Sequence, residues 1–498
     1  MAKKKLVLIY PNQRWEKFDI TTTWNLSPMV LCLLGAMVKE DVDVEIIDAQ
    51  FYDLSVDEFK ERIRESAPDY AGISVLTSEY ENTLDITADA IKEIAPETVV
   101  VAGGVHVTIE YRRVMKNQNI DYAVRGEGEY VLRDLIRFLN GTNSELPVNG
   151  LVYRQDDELV VLPQTFIENL SELPWADFDL VNFDDYINTG ARHGPLRAPE
   201  YPALRWMVTR GCPVGCSFCQ VEFISGKPVR TRDPEDIVAE LEFLKEKYGI
   251  KSILFEDDNM SMPRKFFMEL LELMIERELN LKFIIQAFAI FTLTDDMLDL
   301  MVKANCQGIN VAIESGSQRV LKEIVQKPVR LDLVPERIKK VKDRGMFVLA
   351  NFIVGYPGET WDEVQETVRF AEHCGVDYAK LFVAVPLKGT KMWDMAKRLG
   401  VLDKAEDDIS VDWRYGQITS DEWTAKDISI LRAYEWDRIN FSTPERRARV
   451  AEIWGLSIEE MAAIRKRTRD TLTFDANLVS NATPSMLLKN DKDDRSVA

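Results

Sequence analysis

Apolar residues in the first 140 positions fall in short continuous runs, separated by longer segments where they recur at helical spacing. The runs predict strands at Leu6–Tyr10, Val44–Asp48, Tyr70–Val75, Val99–Ala102 and Tyr122–Arg125. The segments between predict helices at Val30–Glu40, Val56–Ser66, Asn82–Ile94 and Glu129–Asn140. Strands alternating with helices imply a doubly wound, Rossmann-like parallel sheet covered on both faces. Such sheets bind ligands outside the carboxyl ends of their strands. Three turns there carry glycines and hydroxyls: Gly72-Ile-Ser74-Val-Leu-Thr77, Gly103-Gly104-Val-His106-Val-Thr108 and Arg125-Gly-Glu127-Gly-Glu129. Glycine permits close approach of a ligand to the backbone, and hydroxyls can hydrogen-bond it. Ordinary turn chemistry explains the same residues, so both readings stand at this point.

Residues 146–202 read as a connector, with a hairpin of Leu151–Arg154 and Leu159–Leu162 around Gln155-Asp-Asp157. A glycine- and proline-rich stretch over 188–202 reads as a loop near an active-site mouth. From 203 to 400 a strand–helix unit repeats six times. Its strands are Leu204–Thr209, Ser252–Phe255, Lys282–Gln286, Gly308–Ile313, Val348–Val354 and Tyr378–Val385, with helices such as Pro234–Tyr248, Pro263–Arg277 and Trp361–His373. Six such units predict a partial (β/α)6 barrel, with functional residues at the carboxyl ends of its strands. Polar, glycine-rich loops fall at five of those ends. Asp233, Ser261 and Thr360 are expected to cap helices there.

The most specific signal lies after the first barrel strand: Cys212-Pro-Val-Gly-Cys216-Ser-Phe218-Cys219. Three thiolates on one short loop can bind three irons of a 4Fe–4S cube and leave the fourth iron open. A zinc site would need a fourth ligand nearby. The chain has only three histidines, His106, His193 and His373, and His193 lies upstream in an Arg-His-Gly-Pro loop. Cys32, Cys306 and Cys374 read as packing residues.

The triplet, with Phe218 before its last cysteine, resembles the signature of the radical S-adenosylmethionine (radical SAM) enzymes. The resemblance implies that the open iron chelates SAM, which is cleaved to methionine and a 5′-deoxyadenosyl radical. It places Asp257 and Asp258 near the methionine end of SAM, Glu314 and Ser315 at the ribose, and Gly355, Pro357 and Gly358 near the adenine. A basic residue common in relatives near the end of the third strand is replaced here by Gln286-Ala-Phe288-Ala. The first 140 residues resemble the cobalamin-binding domain that precedes many radical SAM barrels. On that resemblance Ser74, Thr77, Gly103, Gly104, His106, Thr108 and Glu127 contact cobalamin. The Asp-x-His-x-x-Gly motif that supplies a histidine below cobalt in methionine-synthase-like domains is absent. The implied cofactors are a 4Fe–4S cluster, SAM and cobalamin, and the implied activity is methyl transfer from methylcobalamin to an unactivated carbon. A radical cyclase of the anaerobic magnesium-protoporphyrin ester type, without methyl transfer, is the alternative. A non-catalytic cobalamin or redox sensor is a third reading, which the full set of SAM loops disfavours.

Composition narrows the partners. The 62 basic and 83 acidic residues leave a net charge of −21, which argues against a phosphate-backbone footprint and so against nucleic acid. The longest apolar run, Val30 to Val38, is too short to span a bilayer. The N-terminus runs directly into a strand without a cleavage site for secretion, and few cysteines suit a reduced cytoplasm. The expected partners are a small-molecule or lipid-precursor substrate and a reductant such as flavodoxin or ferredoxin. The expected domains are 1–145 (cobalamin), 146–202 (connector), 203–400 (barrel) and 401–498 (helical, with a disordered tail from Lys489). The aromatic segment from Trp413 to Phe441 reads as a substrate lid or as a helical cap closing the barrel. Glu445–Arg469, with basic clusters at Arg446-Arg447 and Arg465-Lys-Arg467, reads as a solvated amphipathic helix.

Overall fold

The computed structural model describes residues 3–15, 27–75, 81–156, 158–188, 198–402 and 413–466. Thr77, His193, Asp157, Arg467, most of the 188–202 loop and the tail from Lys489 lie outside the described residues. The chain forms two compact units. The first contains residues 1–215, 220–287 and 299–306; the second contains 216–219, 288–298 and 307–498.

The first unit begins with a sheet of seven strands: β1 (Lys5–Tyr10), β2 (Asp43–Asp48), β3 (Tyr70–Ser74), β4 (Val99–Gly103), β5 (Tyr122–Val124), β6 (Leu151–Gln155) and β7 (Glu158–Val161). Their order is β2-β1-β3-β4-β5-β6-β7. The first five are parallel, with Leu8 opposite Ile46 on one side and Gly72 on the other. Helices α1 (Met29–Val38), α2 (Val56–Ser66), α3 (Glu81–Ile94), α4 (Val105–Val114) and α5 (Glu129–Leu139) connect the parallel strands or follow the last of them. Buried Val, Ile and Leu fill both faces, as a parallel sheet requires. Helix α2 starts at a capping box in which Ser55 accepts from the Glu58 amide and Glu58 returns the bond to the Ser55 amide.

Two features depart from the sequence expectation. The hairpin assigned to a connector is part of this sheet: β6 pairs antiparallel with β5, Ala123 opposite Val152. The Gly103–Thr108 segment, read as a loop, enters α4 immediately after Gly104. The pattern Val-His-Val-Thr alternates like a strand, and that period hid the helix.

The short helix α6 (Phe183–Asn188) precedes β8 (Ala203–Trp206). Next come a two-strand ribbon of β9 (Thr209–Arg210) and β10 (Arg230–Thr231), with α7 (Val221–Ile224) between them. Then follow α8 (Pro234–Tyr248), β11 (Ser252–Phe255), α9 (Arg264–Glu276) and β12 (Lys282–Phe288). Strands β8, β11 and β12 are parallel and adjacent in that order. Asp233 caps α8 as expected, but α9 begins after Pro263 without a side-chain cap, so Ser261 does not serve that role.

After α10 (Asp295–Lys303), the second unit supplies β13 (Cys306–Glu314), α11 (Val334–Asp343), β14 (Phe347–Val354), α12 (Trp361–His373), β15 (Tyr378–Val383) and α13 (Lys391–Leu399). Strands β13, β14 and β15 are again parallel neighbours. Thr360 heads α12 in a capping box with Glu363. Cys306 starts β13 and Cys374 caps α12, and both are buried, as packing residues are. The C-terminal α14 (Ala425–Phe441) lies against β15, where the Asn440 amide bonds the backbone of Ala379 in both directions. Helix α15 (Pro444–Trp454) carries the basic pair expected in solvent. Arg446 and Arg447 instead bond the last carbonyls of α14, and Arg465 forms a forked ion pair with Asp437. Carbonyls left over at a helix end need donors, and these arginines provide them.

Candidate functional site

In the first unit the carboxyl ends of β3, β4 and β5 border a cavity of 260 Å³. Ser74, Gly103, Gly104, Thr108 and Glu127 line it, together with Leu31 and Leu34 of α1 and the segment Trp206–Arg210. Gly104 has φ +99°, and a Cβ there would lie 2.4 Å from the carbonyl oxygen of Val75. Only glycine lets the β4 turn sit against that backbone. Thr108 ties two of the turns together: its hydroxyl donates to the Gly104 carbonyl and accepts from the Gly126 amide, each at 2.9 Å. His106 is 1 % exposed on the buried side of α4 and is not among the cavity-lining residues. A glycine-floored, mostly apolar cavity at the strand ends suits the buried part of a large, flat cofactor such as cobalamin.

Glu127 has more protein partners than a ligand-binding role would need. Its carboxylate accepts two bonds from Arg230 at 2.7 and 2.8 Å and one from the Ile167 amide at 2.6 Å, with Arg210 at 3.3 Å. Burial alone would raise its pKa, but the arginines overcome that and hold it below the usual carboxylate range. Glu129 takes a second bond from Arg210, at 2.5 Å. The Gly-Glu-Gly-Glu turn thus clamps the β9–β10 ribbon, and Arg210 stands two residues before Cys212. Sequence reasoning missed Arg210 and Arg230, whose signal was the unusual pair of acids in a glycine turn.

Cys212 is partly exposed at the end of β9. Its amide donates to the Gly226 carbonyl at 3.2 Å, and the Asn259 side-chain amide donates to its sulfur at 3.6 Å. The acidic turn after β11 holds the backbone leading into this loop. Asp257 Oδ1 accepts from the amides of Val208 and Thr209 and from the Thr209 hydroxyl, at 2.6–2.8 Å. Asp258 accepts from the Gly211 amide at 3.1 Å. Burial pushes the Asp257 carboxyl up to about 7 against those bonds, and burial raises Asp258 as well. Among the described residues, Asp257 Oδ2 is buried without a partner.

In the second unit, Cys216 and Cys219 form a tight turn, the Cys219 amide donating to the Cys216 carbonyl at 3.1 Å. Ser217 between them is pinned on both sides, to the Val325 carbonyl and the Met392 amide. The ring of Phe218 lies 6.3 Å from that of Tyr356. Glu314, at φ +75° and 4 % exposed, accepts a 2.8 Å bond from Lys327, itself well buried. Ser315 is fully buried, and its hydroxyl faces Thr367 at 3.1 Å and accepts from the Ser317 amide. Gly355 and Gly358 both have positive φ, and around Pro357 the loop folds back so that Glu359 accepts from the amides of Gly355 and Tyr356. Burial pushes the Glu359 carboxyl up to about 8. Lys327 was also missed; Gln-Lys-Pro after a helical segment looks like surface in sequence.

The donor chemistry suits an iron–sulfur cluster: three partly exposed cysteines on one loop, none in a disulfide. Among the described residues, no three His, Cys, Asp or Glu side chains gather tightly enough for a single metal ion. A cube spreads its thiolates over three irons, so it does not need that tighter gathering. No helix among the described residues is long and apolar enough to cross a membrane.

Residues 206–371 match the radical SAM superfamily model, and residues 21–136 match the B12 binding domain model. An uncharacterized methyltransferase of Pyrococcus horikoshii is 31% identical over 82% of this chain and 85% of its own length. A cytidylyl-2-hydroxyethylphosphonate methyltransferase of Streptomyces wedmorensis is 28% identical over 86% and 89%. An anaerobic magnesium-protoporphyrin IX monomethyl ester cyclase of Rubrivivax gelatinosus is 30% identical over 81% and 71%. Among solved structures, the cobalamin-dependent SAM radical enzyme OxsB with aqua-cobalamin and SAM bound superposes with a TM-score of 0.72, at 16% identity, over 98% of this chain and 75% of that one. That likeness concerns the fold.

Proposed function

Because the chain belongs to the radical SAM enzymes that carry a B12-binding domain, we propose that it moves a methyl group from methylcobalamin to an unactivated carbon of a small molecule or lipid precursor. The enzyme's cofactors are a 4Fe–4S cluster, SAM and cobalamin. When bound, the cluster supplies an electron for cleavage of SAM, and methylcobalamin supplies the methyl group. The observation that carries the reading is the order of the two matched families, together with two methyltransferases among relatives aligned over most of their length. The cyclase reading keeps its place because one relative of comparable identity bears that name.

The chain's own residues divide the work. Cys212, Cys216 and Cys219 hold three irons and leave the fourth for SAM. Asp257 and Asp258 fix the backbone from Val208 to Gly211, so the first cysteine is presented from a rigid lead-in. Glu314, charge-balanced by Lys327, is placed to accept from the ribose, and the Gly355–Gly358 backbone to pass the adenine. Ser315 serves its own turn rather than the ligand. Gly103 and Gly104 let cobalamin approach the sheet, and apolar residues around the cavity exclude water there. Thr108 and Glu127 act on cobalamin by shaping the turns. We place the enzyme in the cytoplasm, with a flavodoxin- or ferredoxin-type reductant.

The test is SAM cleavage. Anaerobically reconstituted protein, given SAM and a strong chemical reductant, should release 5′-deoxyadenosine, and Cys216→Ala should abolish it. An unaltered yield in that variant would remove the assignment.

A further inference from the structure

Asn259 lies beside the first cysteine of the loop. It follows the two acids of the turn after β11, is 6 % exposed, and points its side-chain nitrogen at the Cys212 sulfur, 3.6 Å away. That separation lies within the range of an N–H···S hydrogen bond. An amide can be turned either way round, and its neighbours decide which atom faces the sulfur. The Ser261 hydroxyl donates to Asn259 Oδ1 at 3.3 Å, which leaves the nitrogen toward Cys212. Ser261 is fully buried and does not cap α9.

We infer that Asn259 is a positioning residue that sets the reduction potential of the cluster through its bond to the Cys212 thiolate, with Ser261 fixing the direction of the amide. The inference rests on Cys212 being an iron ligand. Reduction adds negative charge to the cluster and its thiolates. A donor to a thiolate stabilises that added charge and raises the potential, and hydrogen bonds to sulfur are among the terms that set it. The bond also restrains the only one of the three cysteines that precedes the glycine of the Cys-Pro-Val-Gly turn.

The experiment is a redox titration of the reconstituted cluster, followed by EPR of the reduced form, with iron and sulfide counted in each sample. Asn259→Ala should keep about four irons per chain. It should shift the reduction equilibrium about tenfold toward the oxidised form, which is 59 mV lower for one electron. Asn259→Asp, isosteric but lacking the donor and adding charge, should shift it further in the same direction. Ser261→Ala, which leaves the donor and frees its orientation, should shift it the same way by less, and it decides the matter if either Asn259 variant fails to hold iron. Wild-type potential in variants with full iron content would overturn the inference. A wild-type chain that assembles no four-iron cluster would instead remove the reading beneath it.

Discussion

Glu314 and Lys327 are each nearly out of water, and each is the other's counter-charge at 2.8 Å. Removing one member of a buried pair takes a counter-charge from the other and costs about 3–5 kcal/mol. Glu314→Gln should therefore destabilise the protein by about 3 kcal/mol, and Glu314→Gln with Lys327→Met should recover most of the loss. Urea denaturation of the anaerobic protein measures both; additive losses in the double variant would show that the two side chains are not coupled. A second consequence concerns acids with raised pKa. Glu359, at about 8 when folded, takes up a proton that the unfolded chain releases near its ordinary value of 4.5. The folded state then binds more protons between those values, so stability falls as pH rises through that window and levels off above about 8. Asp257 contributes in the same sense, but only up to about 7. In Glu359→Gln the decline should end near pH 7 instead of 8. A decline that runs to the same pH in both proteins would contradict the burial assigned to Glu359.

At the scale of elements, the turn after β4 carries a conformational demand that a single methyl group can test. Gly104→Ala places a Cβ against the Val75 carbonyl from a left-handed backbone. The variant should lose cobalamin on gel filtration while keeping its iron, and full retention of cobalamin would show that the turn does not shape the site. Much of this was legible because the parallel strands are short, largely apolar runs, with glycine in or just after β3, β4 and β5, so β1 to β5 and β11 appear within a residue or two. The cysteine loop was legible because its chemistry is local in sequence. Partners far apart in the chain were not. Nothing in Arg230 announces Glu127, 103 positions earlier, and nothing in Gln-Lys327-Pro announces Glu314. The 151–161 hairpin shows the same limit: its two strands were found, but pairing with β5 is a long-range choice made by the edge of the sheet.

For the whole molecule, two cofactor sites must act in one order. The Glu127–Arg210–Arg230 cluster joins the cobalamin-side turn to the ribbon before Cys212, within one compact unit. That arrangement suits an enzyme in which radical generation and methyl delivery serve one substrate. In a methyltransferase each hydrogen abstraction ends in a methyl transfer, which separates it from a cyclase on the same fold. The direct measurement loads the reconstituted enzyme with methylcobalamin labelled at its methyl group and adds SAM, reductant and an anaerobic small-molecule extract. Released 5′-deoxyadenosine is then counted against label in products other than SAM and methionine. Over the first turnover both should form together in a one-to-one ratio, and both should vanish in Cys216→Ala. Formation of 5′-deoxyadenosine that depends on the extract, with all label still on cobalamin, would contradict it.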